Sequence, residues 1–183
     1  MRYLGPPLAL AGKHTVWVPA AAMRPTVSNG CAAMTDVETT AGRPDIQVLD
    51  FDGSADEAAQ FQVMFPKLWD EGTVTFQAAW TSTATDTDGV TWGLQGVAGG
   101  DGDTIDAAYG TAVTVDDANQ STAEDLYVTA ESSAVTIAGS PAADQICYFR
   151  VFRDVSDSND TAAEDARLVG LKLFWITDAG NDA

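Results

Sequence analysis

From Thr73 to Thr81 the chain alternates, with Val74, Phe76, Ala78 and Trp80 on one side and Thr75, Gln77 and Thr81 on the other. A repeat of two places successive side chains on opposite faces of an extended strand, so such a run buries one face of a sheet. In Gln60–Phe65 the residues Phe61, Val63 and Phe65 oppose Gln62 and Met64 in the same way. Near the C-terminus Val169, Leu171, Leu173 and Trp175 make one apolar face. The other face, with Leu168, Gly170, Lys172, Phe174 and Ile176, is also partly apolar, so this strand is expected to be central or covered on both sides. Further extended runs are Thr15–Val18, Ile46–Phe51, Val90–Val97, Ala112–Val115, Leu126–Ile137, Gln145–Val155 and Arg167–Ile176.

Turn chemistry separates these runs: Asp52-Gly53, Glu71-Gly72, Asp88-Gly89 and Gly99-Gly100-Asp101-Gly102 supply the glycines that tight turns need. Helical patterning is confined to Ser54–Ala59, with Ser54 as an N-cap, and to Pro66–Trp69. Many short strands with almost no helix predict an all-β fold, a jelly-roll β-sandwich of about eight to nine antiparallel strands. An immunoglobulin-type sandwich is the alternative, weakened by the chain length and by its Cys and Trp positions. Residues 14–183 read as one domain and residues 1–13 as an extended N-terminal arm. The apolar run within Met1–Gly12 is too short for a signal peptide and is broken by Pro6 and Pro7.

Charge narrows the partners. There are 27 acidic and 9 basic residues, a formal net charge of -18, and no Lys or Arg falls between Leu68 and Phe149. Such a surface repels phosphate backbones, which argues against nucleic-acid binding. No apolar stretch has the roughly 20 residues that a membrane helix needs. Cys31 and Cys147 are the only cysteines. Two do not make a disulfide framework, and the usage fits synthesis in a reducing compartment.

Little in the sequence points to catalysis. His14 is the only histidine, which leaves a serine triad without its base and a zinc site without ligands. Paired carboxylates are available in number, but sequence shows no pair converging across a cleft. Asp86-Thr87-Asp88-Gly89 and Asp101-Gly102-Asp103 set carboxylates two apart in Gly-containing loops. That spacing suits calcium, with Asp86, Asp88, Asp101 and Asp103 as ligands, although the same residues make plain turns and no cofactor is the primary reading. Of the five tryptophans, Trp80 and Trp175 share the apolar phase of their strands and read as core. Trp69 reads as an end plug. Trp17 and Trp92 are less constrained, and Trp92 is the candidate for stacking on a sugar ring.

The segment Phe61-Gln62-Val63-Met64-Phe65-Pro66-Lys67-Leu68-Trp69-Asp70-Glu71-Gly72-Thr73-Val74-Thr75-Phe76 resembles a family of small jelly-roll virion proteins of tailed bacteriophages. The shared phrase is an alternating strand, Pro-x-x-Trp-x-x-Gly-Thr, and a second alternating strand ending in aromatic-Thr, here Trp80-Thr81. The segments Thr91–Ala98, Asp103–Asp106, Ala166–Gly170 and Thr177–Gly180 are also similar to the family, whereas Met1–Lys13 falls outside the likeness.

The resemblance implies a non-enzymatic structural component of a phage particle, made in the host cytoplasm and placed at the capsid surface. Its first reading is a capsid decoration, or cement, protein that bridges major capsid subunits and self-associates, with a homotrimer expected. Arg2, Lys13, Arg24 and Trp17 are then the candidate interface. The alternative is a phage fibre or adhesin, or another β-sandwich module, that binds host-surface carbohydrate.

Overall fold

The computed structural model describes residues 12–178. Its strands are β1 Gly12–Pro19, β2 Arg24–Pro25, β3 Thr35–Glu38, β4 Asp45–Phe51, β5 Glu57–Met64, β6 Thr75–Thr81, β7 Gly89–Gly99, β8 Val113–Ala118, β9 Tyr127–Val128, β10 Ile137–Ala138, β11 Ile146–Arg153 and β12 Ala166–Thr177. One sheet runs β3-β4-β12-β6-β9, with β1 also paired to β12; the other runs β10-β7-β11-β5-β2, with β8 also paired to β7. The chain crosses between sheets at every connection except β3 to β4, β7 to β8 and β10 to β11. Apart from the consecutive pairs β3-β4 and β7-β8, hydrogen-bonded neighbours are therefore distant in sequence, and the fold is a jelly-roll β-sandwich. Pairing between strands is antiparallel except where β10 joins β7 in parallel.

The alternating residues meet between the sheets. Val74, Phe76, Ala78 and Trp80 are fully buried, as are Leu94, Phe149 and Val151 from the opposite layer. Phe61 and Phe65 point into the same core while Met64 stays exposed. Trp69 is buried at one end against Phe65, with ring centroids 4.3 Å apart.

In β12 the regular alternation expected from sequence is interrupted. Leu168 and Leu171 would fall on opposite faces, yet both are fully buried. The register against β6 shifts between Leu168 and Gly170, so Val169 passes as one extra residue and the phase flips. Beyond the bulge, Gly170 lies under Trp17. A Cβ there would sit 2.6 Å from both the indole ring and the Val18 carbonyl oxygen.

Three other local expectations are corrected. Ser54–Ala59 is not helical: Asp52 Oδ1 accepts from the Ser54 amide at 2.6 Å, Glu57 Oε2 accepts from the Asp52 amide at 2.8 Å, and β5 begins at Glu57. Pro66–Trp69 is a turn, closed by the Trp69 amide on the Pro66 carbonyl at 2.9 Å. The one helical turn among the described residues is the 3-10 segment Ala20–Ala22. Leu126–Ile137 yields only β9 and β10 instead of a long strand. There the Thr129 and Ser132 hydroxyls accept from the Ala78 and Phe76 amides of β6, each at 3.0 Å, in place of strand carbonyls. Side chains thus finish that sheet edge and blunt it.

One end of the sandwich is acidic. The loops spanning 52–56, 82–88, 119–126 and 154–165 hold eleven carboxylates and no Lys or Arg. What anchors them is Arg153, the last inward residue of β11, which is fully buried. Its Nε and Nη2 donate to Asp160 Oδ2 and Oδ1 at 3.0 and 2.8 Å. Nη2 also donates to the Ala162 carbonyl at 2.5 Å, and Nη1 donates to the carbonyls of Glu164 at 2.7 Å and Phe51 at 3.3 Å. All five donors of the guanidinium are used, which is what makes a buried cation tolerable. Asp160 Oδ2 further accepts from the Thr91 amide at 3.0 Å, tying the 154–165 loop to β7.

Candidate functional site

Because Phe61, Phe149, Val151 and Leu94 point inward, the residues between them face out from the second sheet. Register aligns them in rows. Arg24 of β2 pairs with Gln60 of β5, Gln60 with Arg150 of β11, and Arg150 with Gln95 of β7. One row across four strands therefore reads Arg24, Gln60, Arg150, Gln95. At about 4.8 Å per strand it spans roughly 14 Å. The next row is Gln62, Tyr148 and Val97, and the row on the other side is Ala58, Phe152 and Gly93. Gly93 is needed there because a Cβ would lie 2.1 Å from the Phe152 ring.

The connection from β7 to β8 folds over this face. The Gly110 amide bonds the Gly96 carbonyl at 3.0 Å on the edge of β7, and from there Tyr109 reaches across β11 to Gln60, whose Nε2 donates to its hydroxyl at 2.9 Å. On the opposite side the 3-10 turn and Met23 raise a second wall. A groove of about 260 Å³ runs between Ala21–Arg24, Gln60, Gln62 and Tyr148. Tyr148 also bounds a second hollow of about 220 Å³, lined by Val97, Gly99, Asp103, Ile105 and Ile146. One tyrosine ring thus divides a polar groove from a more apolar one.

The groups are arranged for binding. The primary amides of Gln60, Gln62 and Gln95 each carry donors and an acceptor, and the tyrosine rings offer flat apolar faces with a polar tip. Burial holds the Tyr109 phenol above its ordinary pKa, against the opposing pull of Arg150 and Arg24. Its oxygen already accepts from Gln60, so its proton is available to another acceptor. The Arg150 guanidinium lies 5.1 Å over the Phe152 ring, which restrains it. Among the described residues neither Arg24 nor Arg150 has an ion-pair partner. No outward position of β2, β5 and β11, or of β7 from Gly93 to Gly99, is a carboxylate.

The residues singled out from sequence are dispersed. Arg2 lies outside the described residues. Gly12 and Lys13 belong to β1, paired with Thr177 and Ile176, so the expected arm boundary at residue 13 falls inside a strand. Lys13 pairs with Glu131 and sits 4.7 Å over the Phe174 ring on the outer face of the first sheet. Trp17, 45% exposed, covers Gly170 on that same face. Arg24 is on the other sheet, so the proposed interface set is not one surface.

Trp92 is not available to a sugar. It occupies the inward phase of β7, fully buried against Phe51 and Trp80 at centroid distances of 5.1 and 6.3 Å. The four aspartates do not converge either, because β7 places Asp86 and Asp88 at one end and Asp101 and Asp103 at the other, roughly 30 Å apart. Asp86 Oδ1 accepts from the Asp88 amide and from Asn119 Nδ2, each at 3.0 Å, and Asp103 Oδ2 accepts from the Gly100 amide at 2.9 Å. These carboxylates close turns, and the described residues contain no group of three acidic, His or Cys side chains placed to hold a metal ion. Cys31 and Cys147 are buried free thiols; burial pushes them up to about 12 and about 11, with Glu57 adding to the rise at Cys31.

Tyr148, Arg150, Gln60, Gln62, Gln95 and Tyr109 were not singled out by sequence reasoning. The first four had a signal, since Tyr148, Arg150 and Phe152 alternate with Phe149 and Val151, and Gln60 and Gln62 flank Phe61. Tyr109 had none, because it arrives from an irregular loop.

No protein-family model matches the chain, and no curated protein matches it in sequence. Solved structures similar to it include a CBM35 from Cellvibrio japonicus Abf62, with 11% identity, a TM-score of 0.46, and coverage of 93% of this chain and 100% of that one. The CBM36-1 domain of a multidomain xylanase from the hindgut metagenome of Trinervitermes trinervoides has 10% identity and a TM-score of 0.44, covering 87% and 96%. A family 11 carbohydrate-binding module from Clostridium thermocellum, in complex with a beta-1,3-1,4-mixed-linked tetrasaccharide, has 6% identity and a TM-score of 0.40, covering 93% and 91%. Likeness this remote carries no argument about what this chain binds.

Proposed function

We propose that the protein is a non-catalytic carbohydrate-binding β-sandwich, of the kind a phage fibre or adhesin uses on a host-surface glycan. The observation that carries this reading is the row Arg24, Gln60, Arg150, Gln95 with Tyr148 and Tyr109 beside it. A sugar presents hydroxyls at fixed angles around a ring with an apolar C–H face. Amides and guanidinium groups on adjacent strands meet the hydroxyls, and the tyrosine ring meets the face. The strands are held by ladder hydrogen bonds on both sides of β11, so the donors are already in place before a ligand arrives. The test is titration calorimetry against a panel of oligosaccharides, with Tyr148→Ala and Gln62→Ala compared with Lys172→Ala on the opposite sheet. Saturable binding weakened tenfold or more by the first two, and unchanged by the third, is the expected result. Absence of binding to every saccharide would overturn the reading.

Capsid decoration is the second reading. It is favoured by the outer face of the first sheet, where Trp17 and Ile176 are 45% and 41% exposed beside Phe174 and Lys13. Exposed apolar side chains on a flat sheet suit a protein contact better than a glycan. Cosedimentation with stripped capsids, abolished by Trp17→Glu, is the outcome this reading requires.

A further inference from the structure

Resting on the carbohydrate reading of the groove, we infer that its ligand is an acidic saccharide whose carboxylates are read by Arg24 and Arg150. Charge is the first ground. Acidic residues outnumber basic ones 27 to 9, yet both arginines of this face stand without a carboxylate partner among the described residues. The three basic residues that do form ion pairs are elsewhere: Lys13 and Arg167 on the first sheet, and Arg153 in the interior. Arg24 is exposed and Arg150 half-buried on this face, and no described carboxylate supplies their counter-charge.

Geometry is the second ground. Arg24 and Arg150 flank Gln60 in one row, two strand spacings or roughly 10 Å apart, so successive units of one chain-like ligand can reach both. A planar guanidinium presents paired N–H donors that match a carboxylate's two oxygens, a geometry that a hydroxyl does not fill. Arg150 is restrained over Phe152, which reduces the ordering cost of forming that fork. Gln60 lies between the two forks, where a carboxylate would have cancelled them.

The surrounding field sharpens the choice. With a net charge of -18 the molecule as a whole repels an anion, so an acidic ligand is tolerated only where the local sign is reversed. The groove is such a place, and the eleven-carboxylate end of the sandwich is not.

The test measures binding of the full chain to oligosaccharides of galacturonate, glucuronate and mannuronate, each beside its methyl ester and its neutral parent sugar, with a sulfated neutral oligosaccharide as a further arm. At least one uronate is expected to bind tenfold or more tighter than its ester. Arg24→Gln and Arg150→Gln should each weaken binding of the uronate roughly tenfold more than they weaken binding of its ester. Unchanged melting temperatures in both variants keep the loss assignable to the groove. Equal or tighter binding of the neutral forms would overturn the acidic ligand and leave the carbohydrate reading standing. Preference for the sulfated sugar over every uronate would overturn the carboxylate alone. No binding to any saccharide would remove the carbohydrate reading itself.

Discussion

Replacing Arg153 with Met is the substitution with the largest consequence that can be worked from the structure. Methionine fills much of the same volume, so the loss is in polar pairing more than in packing. Five hydrogen bonds disappear: two to Asp160 and one each to the carbonyls of Ala162, Glu164 and Phe51. The Asp160 side chain is 1% exposed and would be left as a buried carboxylate with only the Thr91 amide. Removing one partner of a buried pair costs about 3–5 kcal/mol. In a chain of this size each kcal/mol moves the melting point by about 2–4 °C, so a fall of roughly 6–20 °C is expected. Urea unfolding of the wild type, Arg153→Met, Asp160→Asn and the double variant measures it. Because the orphaned carboxylate is the main cost, the double variant should be clearly more stable than the sum of the two single losses implies. A single Arg153→Met loss within 1 kcal/mol of wild type, or strict additivity in the cycle, would refute the reasoning.

Gly170→Ala should destabilise by about 1–3 kcal/mol, since its Cβ meets the Trp17 ring and the Val18 carbonyl at 2.6 Å and the backbone oxygen cannot swing away. Thermal unfolding reads it, and a neutral result would mean that β1 is not seated on β12 as described. The thiols give a pH signature. Both are buried, so a native sample at pH 8 should resist a thiol reagent that labels both cysteines after unfolding. Folding also raises their pKa values above the ordinary 9.0, to about 11 for Cys147 and about 12 for Cys31. The unfolded chain therefore sheds those protons first. Their effect on stability is nil below about pH 9 and becomes increasingly unfavourable from there up to the folded values. Urea midpoints that stay flat from pH 9 to 11 would contradict this.

Strand positions were legible where one face is buried and the other wet, because a period of two is then written in the side chains. That is why Thr73–Thr81 and Gln60–Phe65 are close to β6 and the end of β5. Pairing partners were not legible. Two short strands, β2 and β3, carry no alternation long enough to see, and the parallel contact of β10 with β7 depends on tertiary position. The bulge at Val169 also escaped detection, since a strict alternation and an interrupted one assign Leu168 to different faces and only packing decides. The helix expected at Ser54–Ala59 failed because Asp52 and Glu57 spend their carboxylates closing a turn, a competition between side chain and backbone that Ser, Asp and Asn commonly win.

Arg150 and Arg153 show how far strand parity, once known, carries a functional argument. They stand three positions apart in β11, so they face opposite ways. The inward one must have every donor satisfied, and Arg153 has five acceptors around it. The outward one is under no such demand and, among the described residues, stands without an ion-pair partner in a molecule rich in carboxylates. A count of basic residues treats the pair as equivalent, and so does a charge map of the linear chain. Inward parity instead makes Arg153 a question of stability, answerable by unfolding. Outward parity makes Arg150 a question of ligand, answerable by binding. Arg153→Met should therefore shift the melting point strongly. Arg150→Gln should leave the melting point in place and move affinity. A reversal of that pattern would mean that the face assigned to β11 is wrong, and with it the groove.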